Sequence, residues 1–357
     1  MIEAGLEIPA HKALAAASAR SGVVALWLAV VAALVLAMVV VGGATRITGS
    51  GLSITEWKPI TGAIPPLGQE AWAHLFRLYQ ATPQGLLNHG LSMAEFHSIF
   101  WWEWGHRLLG RVLGVAFLAP FVILLAARRM PRRLVGRCVL LFALGGLQGA
   151  AGWWMVKSGL EARTSVAPER LAVHLGLALV LFSATVWTAL EAWFGPGEGL
   201  HPRSRGWVWA SAGFLAAVFV QCLLGALVAG NHAGLVDADW PLMGGRVFPD
   251  GYWQGNLWGT LAHSLPAVQF NHRVLAYGLV TAGLAMATTA WGRGAQPLRA
   301  PTLVIAALLV AQAALGVAAL IMTVPLSLAM LHQFTAASLL AAATFLTWRV
   351  RRLGQVT

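Results

Sequence analysis

The chain has few charged residues and few cysteines. Only 10% of its 357 residues are Asp, Glu, Lys or Arg, whereas 58% are hydrophobic and the mean hydropathy is +0.70. No soluble fold can cover so much apolar side chain, so the composition excludes a soluble globular enzyme and indicates an integral membrane protein. Both cysteines, Cys138 and Cys222, fall in apolar runs. A disulfide on the outer face of one chain is therefore excluded.

Apolar runs long enough to cross a bilayer of about 30 Å occur eight times. The predicted spans are Ser21–Gly43, Ile99–Ala127, Leu134–Val156, Leu171–Phe194, Trp207–Ala229, Pro266–Trp291, Pro301–Met322 and Leu328–Val350. They predict an all-α integral membrane protein that is surrounded by lipid.

The positions of the basic residues predict the topology. Of the 24 Lys and Arg, 14 lie before Ser21, in Arg128–Arg137, at Arg203 and Arg205, in Arg293–Arg299 or after Trp348, and the longer alternate loops hold seven. This bias places both termini and the basic loops on the cytoplasmic side of the membrane. The net charge of +11 is then mostly a topology signal, which argues against nucleic-acid binding. Residues 1–20 contain Glu3 and Glu7 and no short apolar core, so we expect a cytoplasmic segment and not a signal peptide.

An internal duplication divides the chain into two halves. A shift of 183 residues aligns the first span and its outer loop with the fifth span and its loop, including Gly42 with Gly225. A shift of 166 aligns the second span with the sixth. We therefore predict two pseudo-twofold-related four-helix bundles, residues 21–194 and 207–350, with a cytoplasmic tail at 351–357.

Four histidines occupy matching places inside the predicted spans. They are His106 and His174 in the first half and His272 and His332 in the second. Ionisable side chains within a membrane are costly and rare, so four in register indicate ligation of a buried cofactor. Two imidazoles at similar depth on neighbouring helices can supply both axial nitrogens of a haem iron. Each half is thus predicted to bind a haem.

A small residue stands four positions after each of these histidines. The four are Gly110, Ala178, Ala276 and Ala336. They share a helix face with the histidines and could leave space for a porphyrin. Close packing of membrane helices explains small residues equally well.

The two halves differ at Glu103, which aligns with Gln269. Glu103 precedes His106 by three residues, so its carboxyl shares a helix face with that histidine. A carboxylic acid could move protons or stabilise positive charge during chemistry at the porphyrin edge. This difference makes the first half the predicted reaction site and the second an auxiliary haem site. The alternative for Glu103 is an ion pair with Arg107, four residues later.

Other residues carry weaker predictions. Arg107 and Arg273 each follow a histidine and could pair with haem propionates, although snorkelling to the outer interface is an equal account. The first outer loop, Ala44–Phe96, is rich in glycine and proline, and we expect it to fold back over the haem-bearing unit. No role is assigned to the remaining histidines of the predicted loops. These are His11, His74, His89, His201 and His232.

Several motifs together resemble the haem A synthase family of cytochrome oxidase assembly. They are GGATRITGSGLSITEWKPITGAIPP (Gly42–Pro66), EFHSIFWWEWGHRLLGR (Glu95–Arg111), HLGLAL from His174, NHRVLAYG (Asn271–Gly278) and LHQF (Leu331–Phe334). The resemblance implies oxidation of a ring methyl of haem O to the formyl group of haem A, by successive hydroxylations. It also implies that His272 and His332 hold a low-spin haem b, and that His106, His174 and Glu103 form the substrate site.

The resemblance extends to partners and has one exception. It implies a link to haem O synthase, the farnesyltransferase that makes the substrate, and to oxidase assembly factors. Some bacterial members carry an outer-loop cysteine pair that this chain lacks, so the electron donor stays unknown. Two rivals from other classes are a di-haem cytochrome b that carries electrons and a haem transporter or chaperone. Neither rival requires the difference between Glu103 and Gln269.

Overall fold

The structure is a computed structural model that describes residues 21–161, 163–195 and 205–352. Several sequence predictions concern residues outside these ranges. They are the N-terminal segment 1–20, Arg203, His11, His201 and residues 353–357 of the tail.

Within the described residues, eight helices are long and apolar enough to cross a membrane, which confirms the all-α prediction and the eight spans. They are α1 (Gly22–Ile47), α2 (Met93–Ala126), α3 (Arg132–Glu161), α4 (Pro168–Phe194), α5 (Arg205–Gly230), α6 (Leu265–Gly292), α7 (Gln296–Ile321) and α8 (Leu326–Arg352).

The helix ends differ from the apolar runs where polar residues form the caps. Helix α2 begins at Met93, six residues before the predicted Ile99. The Ser92 hydroxyl accepts from Glu95 N–H at 3.3 Å, and the Glu95 carboxylate accepts from Ser92 N–H at 2.8 Å. This capping box satisfies two free backbone groups at the helix start, and its polar residues conceal the first turns from a hydropathy profile.

The contacts between the eight helices agree with the predicted division into two four-helix units. In the first unit α1 packs against α2 and α4, and α3 packs against α4; in the second, α5 packs against α6 and α8, and α7 against α6 and α8. The units meet where α1 contacts α8, α4 contacts α5, and α4 contacts α8. Exchanging the units maps these contacts onto one another. This pattern supports the pseudo-twofold arrangement, which stays a prediction.

The main hydrophobic core fills only one end of the helices. On the even-numbered helices its residues begin after the histidine, at Phe117 on α2, Leu179 on α4, Leu279 on α6 and Ala337 on α8. The core therefore lies at the predicted cytoplasmic side, and the histidine layer lies beyond it toward the outer loops.

The first outer loop has structure of its own. A helix at Gln69–Gln80 packs on the start of α2 through the buried rings of Tyr79, Phe96 and Phe100. His74, expected in a loop, lies in this helix, because the segment is amphipathic and has an apolar face to bury against α2.

Candidate functional site

Each candidate haem ligand lies against a glycine of the preceding helix. A Cβ atom added to the glycine would lie 2.9–3.2 Å from the imidazole ring. The pairs are His106 with Gly42, His174 with Gly152, His272 with Gly225 and His332 with Gly316. Any larger residue at these glycines would displace the ring. The four pairs form one layer at the outer end of the core.

A glutamine stands one turn before three of these glycines. We call Gln148, Gln221 and Gln312 the glutamine set. Their Nε2 atoms lie 3.4 Å from His174 Nε2, 3.1 Å from His272 Nδ1 and 3.3 Å from His332 Nε2, respectively. Sequence reasoning missed the set, although a repeated Gln-x-x-x-Gly pattern inside apolar spans was its visible signal.

The histidine layer fits haem ligation. Among the residues that the structure describes, the buried Nδ1 atoms of His174 and His332 have no hydrogen-bond partner, and neither do the Oε1 atoms of the glutamine set. Buried polar atoms are nearly always paired, so unpaired ones in this layer indicate that the site accommodates a further group. Among the described residues, no three His, Cys, Asp or Glu side chains converge as they would around a bare metal ion. The imidazoles of this layer are donors of the kind that bind haem iron, which needs only one or two of them.

Glu103 lies in a fully satisfied buried network. Its side chain is 3% exposed, and Oε1 accepts from Arg107 Nη2 at 2.6 Å and from Nε at 3.1 Å. Oε2 accepts from Ser53 Oγ at 2.7 Å and from Ile54 N–H at 2.8 Å. The ion pair that the sequence left as an alternative for Glu103 is thus present. All of its partners donate, which holds the carboxylate as an acceptor.

The corresponding place in the second half has a weaker network. Gln269 donates to the carbonyl of Asp237 at 3.1 Å, and its buried Oε1 has no partner within the described part of the chain. Val236 aligns with Ser53 at the shift of 183, so the second half lacks the hydroxyl as well as the carboxylate. The two halves therefore differ in both members of one hydrogen bond.

Arg107 and Arg273 hold equivalent loop carbonyls. Arg107 donates to Ile54 O at 2.7 Å and to Glu56 O at 3.0 Å. Arg273 donates to the aligned carbonyls of Asp237 and Asp239 at 2.9 and 3.0 Å. Both arginines thus tie an outer loop to the helix that carries a histidine. Pairing with haem propionates stays a prediction, and it would have to be shared with these carbonyls.

The first outer loop folds back over the first unit, as expected from its composition. Leu52 packs against Gly159 near the end of α3, and the rings of Trp57 and Trp153 lie 5.0 Å apart. Together with the contacts of Ile54 to Glu103 and Arg107, these place the loop across the outer end of the α2 and α3 helices.

Gly110, the small residue four positions after His106, packs against α1. A Cβ atom on Gly110 would lie 3.2 Å from Met38 Cε. Its small size therefore serves helix packing in this structure, which is the alternative that the sequence left open.

One contact between the two halves was missed. Arg46, at the end of α1, donates to Gly230 O at 3.1 Å and to His232 Nε2 at 2.7 Å. Partial burial and the Arg46 charge lower the pKa of His232 below its ordinary value. Arg46 aligns with Ala229 in the repeat, so this contact has no counterpart. The departure from the repeat was its only sequence signal.

Comparison with known proteins gives a consistent family assignment. A sequence profile for COX15-CtaA, described as cytochrome oxidase assembly protein, matches residues 25–344. A protein of Caulobacter vibrioides named Heme A synthase is 55% identical and covers 94% of this chain and 98% of its own length. Proteins with the same name from Caulobacter sp. strain K31 and Parvibaculum lavamentivorans are 56% and 45% identical, over 94% and 98% of this chain and 98% and 99% of their own lengths.

Proposed function

The chain belongs to the COX15-CtaA family of cytochrome oxidase assembly proteins and converts haem O to haem A, and on that premise we propose a division of roles between its halves. His106 and His174 hold haem O during its oxidation. His272 and His332 hold a haem b that is not modified. The substrate site thus lies in residues 21–194 and the auxiliary site in residues 207–350.

The single observation that carries this division is the buried carboxylate of Glu103. It lies one helical turn before His106, and the matching position in the second half is the neutral Gln269. A reaction that develops charge in its transition state is stabilised by a fixed opposite charge in a site with little water. An electron carrier or a haem transporter has no need of this difference.

The hydrogen bonds of Glu103 favour one of its two predicted roles. Conversion of a ring methyl to a formyl group needs an oxidant and passes through electron-poor carbon. When bound, the haem supplies the iron and the methyl group at which the oxidation occurs. Because four hydrogen bonds from three residues point at the Glu103 carboxylate, it acts as a fixed negative charge and not as a proton donor. Arg107 and Ser53 position it.

The loop contacts suggest how water is kept from this site. Residues Ser53 to Glu56 lie across α2 and are held by Arg107 and Glu103. A loop tied down by a buried ion pair excludes solvent and strengthens the electrostatic effect of Glu103. The first outer loop is therefore the cover of the substrate site.

The remaining assignments follow from charge and composition. Both termini lie on the cytoplasmic side of the inner membrane, so the histidine layer lies toward the periplasm. Cys138 and Cys222 lie in α3 and α5, which leaves no thiol in the described outer loops to relay electrons. The family resemblance, and not the charge or composition, implies that haem O comes from the farnesyltransferase that makes it and that the product passes to oxidase assembly.

Pigment extraction from the purified full-length protein tests the division. His106→Ala should remove haem O and haem A but keep haem b, and His272→Ala should remove haem b. Loss of the same pigment in both variants would contradict two separate sites.

A further inference from the structure

Three of the four candidate ligands have a hydrogen-bonding neighbour among the described residues, and His106 does not. The glutamine set places an amide beside His174, His272 and His332 at 3.1–3.4 Å. The residue four positions before Gly42 is Met38. Within the described part of the chain, no hydrogen bond reaches the His106 ring from Met38 or any other residue.

Two amides of the set are anchored, and all three have an unused acceptor. Gln148 and Gln221 donate from Nε2 to the backbone carbonyls of His174 and His272 at 3.0 and 2.9 Å. The Oε1 atoms of all three glutamines are buried and have no partner in residues 21–161, 163–195 and 205–352. A buried carbonyl oxygen left without a donor is destabilising. The set therefore has spare acceptors beside the imidazoles.

A haem-ligating imidazole supplies the missing donor. When one ring nitrogen binds iron, the other carries a proton and needs an acceptor. Rotation about the last torsion of the Gln312 amide presents Oε1 to that N–H. In Gln148 and Gln221 the same rotation exchanges the bond to the backbone carbonyl for the bond to the imidazole. Such an outer hydrogen bond fixes the ring orientation and makes the imidazole a stronger ligand.

Met38 cannot provide this support. Its thioether is at most a weak acceptor, and its methyl group lies near Gly110 on the His106 helix. The site in the first half therefore has one supported ligand, His174, and one unsupported ligand, His106. The site in the second half has two supported ligands.

We infer that the glutamine set positions and strengthens three axial ligands, and that Met38 makes His106 the weak ligand through which the first site releases its haem. This inference rests on the proposed ligation by the four histidines. It explains how two similar four-helix units hold one haem permanently and exchange the other. The glutamines and Met38 are positioning residues, because they act through the histidines.

Haem dissociation from the full-length protein tests the inference without any turnover. The protein is loaded in detergent with iron protoporphyrin IX and mixed with excess apomyoglobin, and the transfer is followed in the Soret band. We expect a fast phase from the first site and a slow phase from the second. His106→Ala and His272→Ala assign the two phases.

Two substitutions at one position form the matched test. Met38→Gln recreates the pair found at the other three histidines and should slow the fast phase about 10- to 100-fold. Met38→Leu keeps an apolar side chain without an acceptor and should leave the fast phase as it is. Gln221→Met and Gln312→Met should each accelerate the slow phase by a similar factor. The reduction potential of the first haem should become more negative in Met38→Gln, because a stronger donor favours ferric iron.

The outcomes separate this inference from the proposed function. An unchanged fast phase and potential in Met38→Gln, while His106→Ala removes that phase, overturns the inference and leaves the ligand assignment intact. An equal slowing in Met38→Leu also overturns it, since bulk and not hydrogen bonding would then control release. If His106→Ala and His272→Ala leave both phases unchanged, the proposed ligation itself is wrong.

Discussion

Arg46 and His232 join the two halves of the protein, with Arg46 Nη2 2.7 Å from His232 Nε2. The arginine can only donate, so His232 must offer the lone pair of a neutral ring. Protonation of His232 removes this acceptor and places two positive charges side by side. The contact therefore depends on pH.

We expect this contact to weaken below pH 6.5. The pKa of His232 in the folded protein is lowered from its ordinary value of 6.5, so the unfolded chain binds the proton more readily. Its stabilising contribution is complete above pH 6.5 and is lost as the pH falls toward the lowered pKa. In detergent, the melting temperature should fall less between pH 7.5 and pH 5.5 for His232→Gln than for the wild-type protein, because glutamine keeps an acceptor and does not titrate.

His89→Gln, in an exposed part of the first outer loop, is the control and should keep the wild-type pH dependence. Equal pH dependence of His232→Gln and the wild-type protein would show that the contact does not respond to protonation.

The auxiliary haem site can be tested at its ligands. His272→Ala and His332→Ala should each abolish the low-spin haem b spectrum, because six-coordinate iron needs both axial nitrogens. His97→Ala, at the start of α2 beside Trp72, should retain it. Full six-coordinate haem b in both single ligand variants would contradict the assignment.

The glycine that lies beside His272 allows a second test of this site that leaves the ligands unchanged. A Cβ atom on Gly225 would lie 3.2 Å from His272 Cε1, whereas one on Gly213 of the same helix would meet nothing within 4 Å. Gly225→Val should therefore displace the ring and reduce bound haem b, at an overpacking cost of about 1–3 kcal/mol. Gly213→Val should bind haem b normally. Absorption spectra at equal protein concentration compare the haem content of the two variants. Equal haem content would show that Gly225 does not shape the haem site.

The predicted topology can be tested by cysteine labelling. Gly90 is exposed in the first outer loop, and Arg129 is exposed in the basic loop between α2 and α3. Gly90→Cys should react with an impermeant thiol reagent from the periplasmic side, and Arg129→Cys only after the cytoplasm is opened. The native cysteines lie within membrane-spanning helices and should stay unlabelled. The reverse pattern would invert the topology.

The sequence predicted well what repeats and what is apolar. The eight spans and the four histidines in register could be predicted, because hydropathy and the constant residue offset between the two halves are properties of the sequence alone. The helix start at Met93 could not, since a capping box is polar and its effect is local. The glutamine set and the Arg46 contact were missed because each depends on which faces of different helices meet. The sequence singled out Glu103, whose role stays a prediction, but not its donors Ser53 and Ile54, because they come from a loop whose path no periodicity describes.

The most direct test of the account is haem conversion by Glu103→Gln. Gln still accepts from Arg107, and the ligands are unchanged, so this variant should bind haem b and haem O. Without the fixed negative charge, conversion should fall about 10²- to 10⁴-fold. Ser53→Ala keeps the carboxylate and three of its four hydrogen bonds and should lose much less.

The decisive measurement is the ratio of haem A to haem O extracted from Glu103→Gln and wild-type protein at equal haem b content. The account predicts that the variant accumulates haem O or a hydroxylated intermediate. Haem A formed by the variant at the wild-type rate would contradict it and reduce Glu103 to a structural partner of Arg107.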